Sequence, residues 1–521
     1  MNGKPNAALA HLRRHADLLL ALGVLLALLW LYFRTAAPDV LSGDSAEFQI
    51  VGATLGVPHP TTYPLSVLGG WLATQVFPSG TLARRVTLFS VVCVALAMTI
   101  GYGVLRRLGL VRAAALLGTL ALAFTPGVWG AATVAEAYAP LLLLLCATAL
   151  ALAAGNLRAA ALLAGLGATQ HGLFVITLLP VVGFWLLHSL FGKTDPARLR
   201  IRRTIAVACC FAVGLTPLLY PVLQFARFGP FSGLDYGLPT LFFWGAPRNW
   251  GELADLLSGG AVRRGIFRLP DPAAALAVLR MVAARLWFEF GPLGVLLGVV
   301  GVWRCGRRPV LLVASGWVAA ATLAYLLLLG PAVEDAPVFT LPLLLPWALW
   351  LALASDGLLA GPWLRSSAPA SRREREGIPG RFGPGTRSRF PRIVAVLLLL
   401  ATVGWGYSRL PYTDKRGLTV FRAFGERALA MLPPNAAVIS HWEQGTTLLY
   451  LHLVERQRPD VVVDINEPGD VPWAARALRY AGRPVCFVGG PASVAGLDVR
   501  EIVRDGYAAL YCAGGARGDG G

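Results

Sequence analysis

Charge is what this 521-residue chain lacks: 14% of its residues are charged, where soluble domains carry roughly 25%. Much of its surface therefore has to face something other than water. Acidic residues are the scarcer sign, 28 against 46 basic, which leaves a formal charge of +18. That excess does not read as a nucleic-acid partner, because no basic and aromatic surface module is present and the arginines sit in short loops between apolar runs. Zinc-ligand spacing, a P-loop and a nucleotide-type glycine-rich loop are also missing, so no cofactor and no metal are expected. Neither internal repeats nor polar groups in the middle of apolar runs are seen, which argues against a transporter or flippase.

What is present is hydrophobic sequence: 56% apolar residues, with runs near the roughly 20 residues that cross a bilayer. Spans are expected at 17–33, 86–105, 113–129, 138–154, 158–170, 172–190, 204–225, 287–303, 309–330, 337–358 and 392–409, about 11 in all. Pro38 after Thr35-Ala36-Ala37 disfavours cleavage of a leader, so the first run reads as a retained helix. Residues 65–77, bracketed by Pro64 and Pro78, read as a short tucked helix. With the N-terminus cytoplasmic, strict alternation puts Arg13/Arg14, Arg106/Arg107/Arg112, Arg158, Lys193–Arg203, Arg304–Arg308 and 361–392 all inside. Asp44, Glu136, His171, the 226–286 loop and Glu334/Asp335 then fall outside.

The expected architecture is a polytopic α-helical membrane protein with a small C-terminal α/β soluble domain. Residues 1–360 form the membrane body, 361–391 a basic disordered cytoplasmic linker, 392–409 the last span and 410–521 an extracytoplasmic α/β domain. Strands are expected at 436–440, 460–465, 484–488 and 507–512, with helices at 416–431, 444–457 and 472–481. Five of seven cysteines lie in or beside apolar helices. Cys486 and Cys512 either form a disulfide in an oxidising compartment or stay as two buried thiols; both readings stand.

Asp44 and Glu47, three residues apart in the first outer loop, share a helix face; they are either paired and used, or a helix cap with a capping box. His59 and Tyr63 lie in Pro58-His59-Pro60-Thr61-Thr62-Tyr63-Pro64, whose three prolines hold the backbone extended. Glu136 and His171 close outer ends of spans, and convergence with the acids makes them site candidates. Arg227, Arg248 and Arg263 run against the charge bias of an outer loop and suit a phosphate; solvated charges are the alternative.

Gly43-Asp44-Ser45-Ala46-Glu47, Leu55-Gly56-Val57-Pro58-His59-Pro60 and Tyr63-Pro64 resemble the family labelled domain of unknown function 2723, which includes the transmembrane protein 260-like protein O-mannosyltransferases. Glu136-Ala137-Tyr138, Gln170-His171, Trp244-Gly245, Leu341-Pro342, Trp442-Glu443-Gln444 and Arg458-Pro459-Asp460-Val461 follow in the same order. The resemblance implies a GT-C-type membrane glycosyltransferase that uses a polyprenyl-phosphate sugar, with mannose the favoured sugar. Transfer would be inverting, to a protein hydroxyl or a lipid or glycan acceptor, with Asp44 as base and Glu47 in support, in a multi-pass cell-membrane protein.

Overall fold

The computed structural model describes residues 4–191, 196–231, 237–238, 241–260, 264, 267–330, 337–359, 390–465 and 471–513. Six helices are long and apolar enough to cross a membrane: His15–Thr35, Leu82–Arg107, Ala197–Phe228, Pro272–Cys305, Pro309–Leu329 and Val338–Leu359. A seventh is added if Arg112–Ala123 and Pro126–Thr133, bent by 62°, count as one span. The bend falls where Pro126 has no N–H to continue the ladder and the Thr125 hydroxyl caps the new helix.

The expected eleven spans are thus six or seven by length and composition among the described residues. Tyr138–Ala153, Leu179–Phe191 and Ile393–Ser408 are apolar but shorter. The expected spans 158–170 and 172–190 are three helices, Leu157–Gln170, Gly172–Thr177 and Leu179–Phe191. His171 makes the first break: its backbone is extended and its imidazole caps the following turn. Pro64–Val76 is a helix of 13 residues, short of a crossing.

Charge sorts to opposite ends of the bundle. At one end Asp17 pairs with Arg106 and Arg112, at 3.0 and 2.7 Å, while Asp356 accepts from the Val111 N–H and Arg308 donates to the Leu108 carbonyl. The other end carries the Asp44, Glu136 and His171 segments. Within the bundle, helices close on small residues. A Cβ at Gly165 would stand 2.4 Å from the Phe211 carbonyl oxygen, and one at Gly214 would stand 2.3 Å from that of Leu162. The Leu157–Gln170 and Ala197–Gly214 helices therefore meet backbone to backbone. Among the described residues one acidic side chain is buried inside a span: Glu289 accepts from the Gly127 N–H at 2.9 Å and pairs with Arg285 at 2.6 Å.

Residues 361–389 of the expected linker lie outside the described residues. Beyond the Phe390–Ser408 helix, the chain forms a five-stranded mixed sheet in the order 462–465, 437–440, 485–489, 509–513, 499–504. The first three strands are parallel and the last two pairings antiparallel. Cys486 and Cys512 face each other across one antiparallel pair and form a disulfide, which decides between the two readings of the sequence. The strand Val499–Arg504 was not expected. It is an edge strand carrying Arg500, Glu501 and Arg504, and that charge hides the alternation while discouraging further pairing.

Substituting Gly165 with Ala should cost roughly 1–3 kcal/mol through overpacking. Gly316→Ala, with nothing within 4 Å of the new methyl, should cost none. Thermal unfolding in detergent checks both.

Candidate active site

The site starts from a 12-residue helix, Gly43–Thr54, that is almost entirely buried. Ser42 stands at its N-cap but makes no side-chain capping bond. The capping box weighed for Asp44 and Glu47 is not formed, because Glu47 is turned to another partner. Its carboxylate, with no exposed surface, accepts from the His59 N–H at 2.8 Å and lies against the His59 imidazole Nδ1. The other ring nitrogen of His59 faces Asp44 at 3.8 Å. One imidazole thus bridges two carboxylates, Glu47 sealed and Asp44 with 44% of its side chain exposed.

The loop that delivers His59 is held at three points. Val57 pairs with Phe243, giving the Val57 N–H to the Phe242 carbonyl and accepting from the Trp244 N–H, both at 2.9 Å. Tyr220 donates to the Gly56 carbonyl and Gln224 to that of Leu55. Gly56 is required here, since a Cβ would lie 2.5 Å from the Phe242 oxygen. The prolines do not keep the segment extended, as expected from sequence. The Thr62 N–H returns to the His59 carbonyl at 2.8 Å, and Thr62 and Tyr63 take left-handed backbone conformations (φ 71° and 36°). Tyr63 is spent on structure: its hydroxyl donates to the Pro60 carbonyl and its ring packs against His59, Phe48 and His171.

Glu136 joins the cluster by accepting from the Ser45 hydroxyl at 3.0 Å. His171 is buried between Tyr63 and Tyr138, and its Nδ1 accepts from the Leu173 N–H at 3.0 Å. The expected arginines do not converge. Arg227 is exposed with its guanidinium over Phe228, and Arg248 is paired with Glu252 with 75% of its side chain exposed. Neither makes a polar contact with Asp44, Glu47 or His59 among the described residues, and Arg263 lies outside them. Sequence reasoning missed two contributors. Gln49 is buried and ties the Asp39–Leu41 segment by accepting from the Leu41 N–H and donating to the Asp39 carbonyl. Trp442, from the C-terminal unit, donates its indole N–H to Asp44 at 2.8 Å; its only signal was the Trp442-Glu443-Gln444 run in the family resemblance.

Burial opposes a charge on His59, but the Glu47 and Asp44 carboxylates outweigh it and push its pKa up to about 9. Burial holds Glu47 above the usual carboxylate range, against the pull of His59. Burial, aided by the His59 charge, takes His171 down to about 3, so it stays neutral. Asp44, Glu47 and His59 place ligand atoms within 4.8 Å of one another and are the residues that would hold a cation. Without a cation the same three form a relay, Glu47 against the His59 ring and His59 turned toward Asp44.

Residues 44–194 match the model of the protein O-mannosyl-transferase TMEM260 N-terminal domain. Among solved structures the chain is similar to ArnT from Cupriavidus metallidurans bound to undecaprenyl phosphate, at 14% identity and a TM-score of 0.55, covering 95% of this chain and 99% of that one. It is also similar to the Archaeoglobus fulgidus oligosaccharyltransferase in complex with Zn and sulfate, at 15% identity and a TM-score of 0.50, covering 89% and 67% of the two chains. At these identities the structures show a shared fold.

The His59 shift has a sign. A folded-state pKa of about 9 above the ordinary 6.5 gives stability that is full below about pH 6.5 and fades as pH rises through about 9. Melting temperature should fall across that window in the parent protein, and His59→Gln should flatten the fall.

Proposed function

We propose that this chain, a membrane glycosyltransferase of the GT-C type, moves a sugar, with mannose favoured, from a polyprenyl-phosphate donor to a hydroxyl of a protein Ser or Thr. The reading rests on one observation: Asp44 is the half-exposed carboxylate of the cluster, held beside the His59 imidazole at one end of an apolar helix bundle. Glu47 is sealed and both of its oxygens are engaged by His59, so it cannot meet a substrate. The base is Asp44.

The chemistry needs little more. The acceptor oxygen attacks the anomeric carbon while Asp44 takes its proton, and the bond from that carbon to the phosphate oxygen breaks. Polyprenyl phosphate departs as an anion, so no acid has to protonate it. Attack and departure on opposite faces give inversion. His59, charged and oriented by Glu47, steadies the Asp44 carboxylate and supplies positive potential for the phosphate that Arg227 and Arg248 do not provide. The reaction belongs on the non-cytoplasmic face of the cell membrane, with the N-terminus cytoplasmic and residues 410–521 outside. The Cys486–Cys512 disulfide supports that side, since such bonds persist in oxidising compartments. No cofactor is needed beyond the lipid-linked sugar. A lipid or surface-glycan acceptor uses the same chemistry.

Purified protein in lipid, given labelled polyprenyl-phosphate mannose and an acceptor peptide, should transfer the label. Asp44→Asn should lose roughly 10²–10⁴-fold in rate, the range of general base contributions, while Asp255→Asn keeps its activity. Equal rates for Asp44→Asn and the parent would remove Asp44 as base. Chelation by EDTA should leave the rate within about twofold of the untreated enzyme, as expected of a relay with no metal ligand role.

A further inference from the structure

The C-terminal unit meets the membrane body at its most functional point. The interior strand Ala437–Ser440 runs into His441, and the Trp442–Leu453 helix starts at once. His441 is fixed against Ser493 and packed on Trp473, which sets where the helix begins. Its first residue, Trp442, lies at the carboxyl end of a parallel strand, the edge at which open α/β sheets commonly present functional groups. Here that edge faces the Asp44 loop. Gly43 has φ 57°, and a Cβ on it would lie 2.6 Å from the Glu443 carboxylate, so the loop is pressed onto the helix start.

Docking is secured away from Asp44. The Thr447 hydroxyl donates to the Leu41 carbonyl at 2.7 Å, the Tyr450 hydroxyl accepts from the Ala83 N–H at 2.9 Å, and Arg422 pairs with Asp39 at 2.8 Å. The indole of Trp442 is therefore not needed to hold the two parts together. It stands edge-on to Trp244 at 4.9 Å, and its N–H, a donor with no acceptor capacity, is spent on one Asp44 oxygen. The other Asp44 oxygen faces His59. A side chain that is 44% exposed at a helix start would otherwise sample several rotamers.

We propose that Trp442 is a positioning residue for the Asp44 carboxylate, which makes the C-terminal unit a working part of the site. The indole N–H and His59 grip opposite oxygens, so the carboxylate plane is set before an acceptor arrives, and a reacting group held in place gains rate without gaining affinity. This rests on the reading of Asp44 as base.

The test uses the full chain in lipid with polyprenyl-phosphate mannose and acceptor peptide. Trp442→Phe keeps a ring and removes the donor; kcat should fall about tenfold, with KM for donor and acceptor within twofold and an unchanged melting temperature. Thr447→Val, which removes a docking bond to the Leu41 carbonyl, should leave kcat unchanged. An unchanged kcat in Trp442→Phe overturns the proposal, as does a raised KM at constant kcat, which would make the indole a substrate contact. A second readout needs no turnover: in ¹⁵N-tryptophan protein, the indole resonance missing from Trp442→Phe should move in Asp44→Asn. A resonance that stays put overturns the contact itself. A parent protein with no transfer but a moving resonance sinks the transferase reading, and with it the catalytic role, while leaving the contact standing.

Discussion

Glu47 has no exposed surface, and every other feature of the site is arranged around that fact. A carboxylate sealed beside a membrane has to be given hydrogen-bond donors or a positive partner, or it stays protonated. His59 supplies both, one through its backbone N–H and one through its ring. To do so the loop 55–63 has to be stitched to the Phe242–Trp244 segment and folded back at Thr62 and Tyr63. Once His59 is fixed by the buried acid, its other nitrogen can only look toward Asp44. The geometry of the exposed carboxylate is thus a consequence of how the hidden one is satisfied.

The same demand for satisfaction governs the bundle. Glu289 sits inside a span and is met by the Gly127 N–H at the start of the Pro126–Thr133 helix and by Arg285. The bend at Thr125-Pro126 presents that amide. Asp17 gathers Arg106 and Arg112 at the opposite end. These polar side chains are tied to a backbone break or to each other, which keeps charges in place within a sparsely charged bundle.

Composition made the membrane class legible, and Asp44, Glu47, His59, Glu136 and His171 were legible as one polar end because the loops alternate in charge. The number of spans was harder to read. A hydropathy run does not show that His171 breaks a helix by capping the next one, nor that Pro126 turns a run by 62°. Arg248 shows how an outer-loop arginine can be read two ways. Arg248 has Glu252 four residues on, and an ion pair along an exposed helix start looks the same in sequence as a phosphate clamp. Trp442 could not be found from spacing at all. Its partner lies 398 positions away, and only a fold brings them together.

That separation bears on biosynthesis. The first loop to leave the membrane and a helix synthesised near the end of the chain are joined at Trp442 and Asp44, and Lys415 gives its N–H to the carbonyl of Thr35 close by. Until the ribosome has delivered the second partner, the first waits without its clasp. A polypeptide stopped before residue 442 therefore lacks the indole that braces Asp44, so this contact forms late in the making of the molecule.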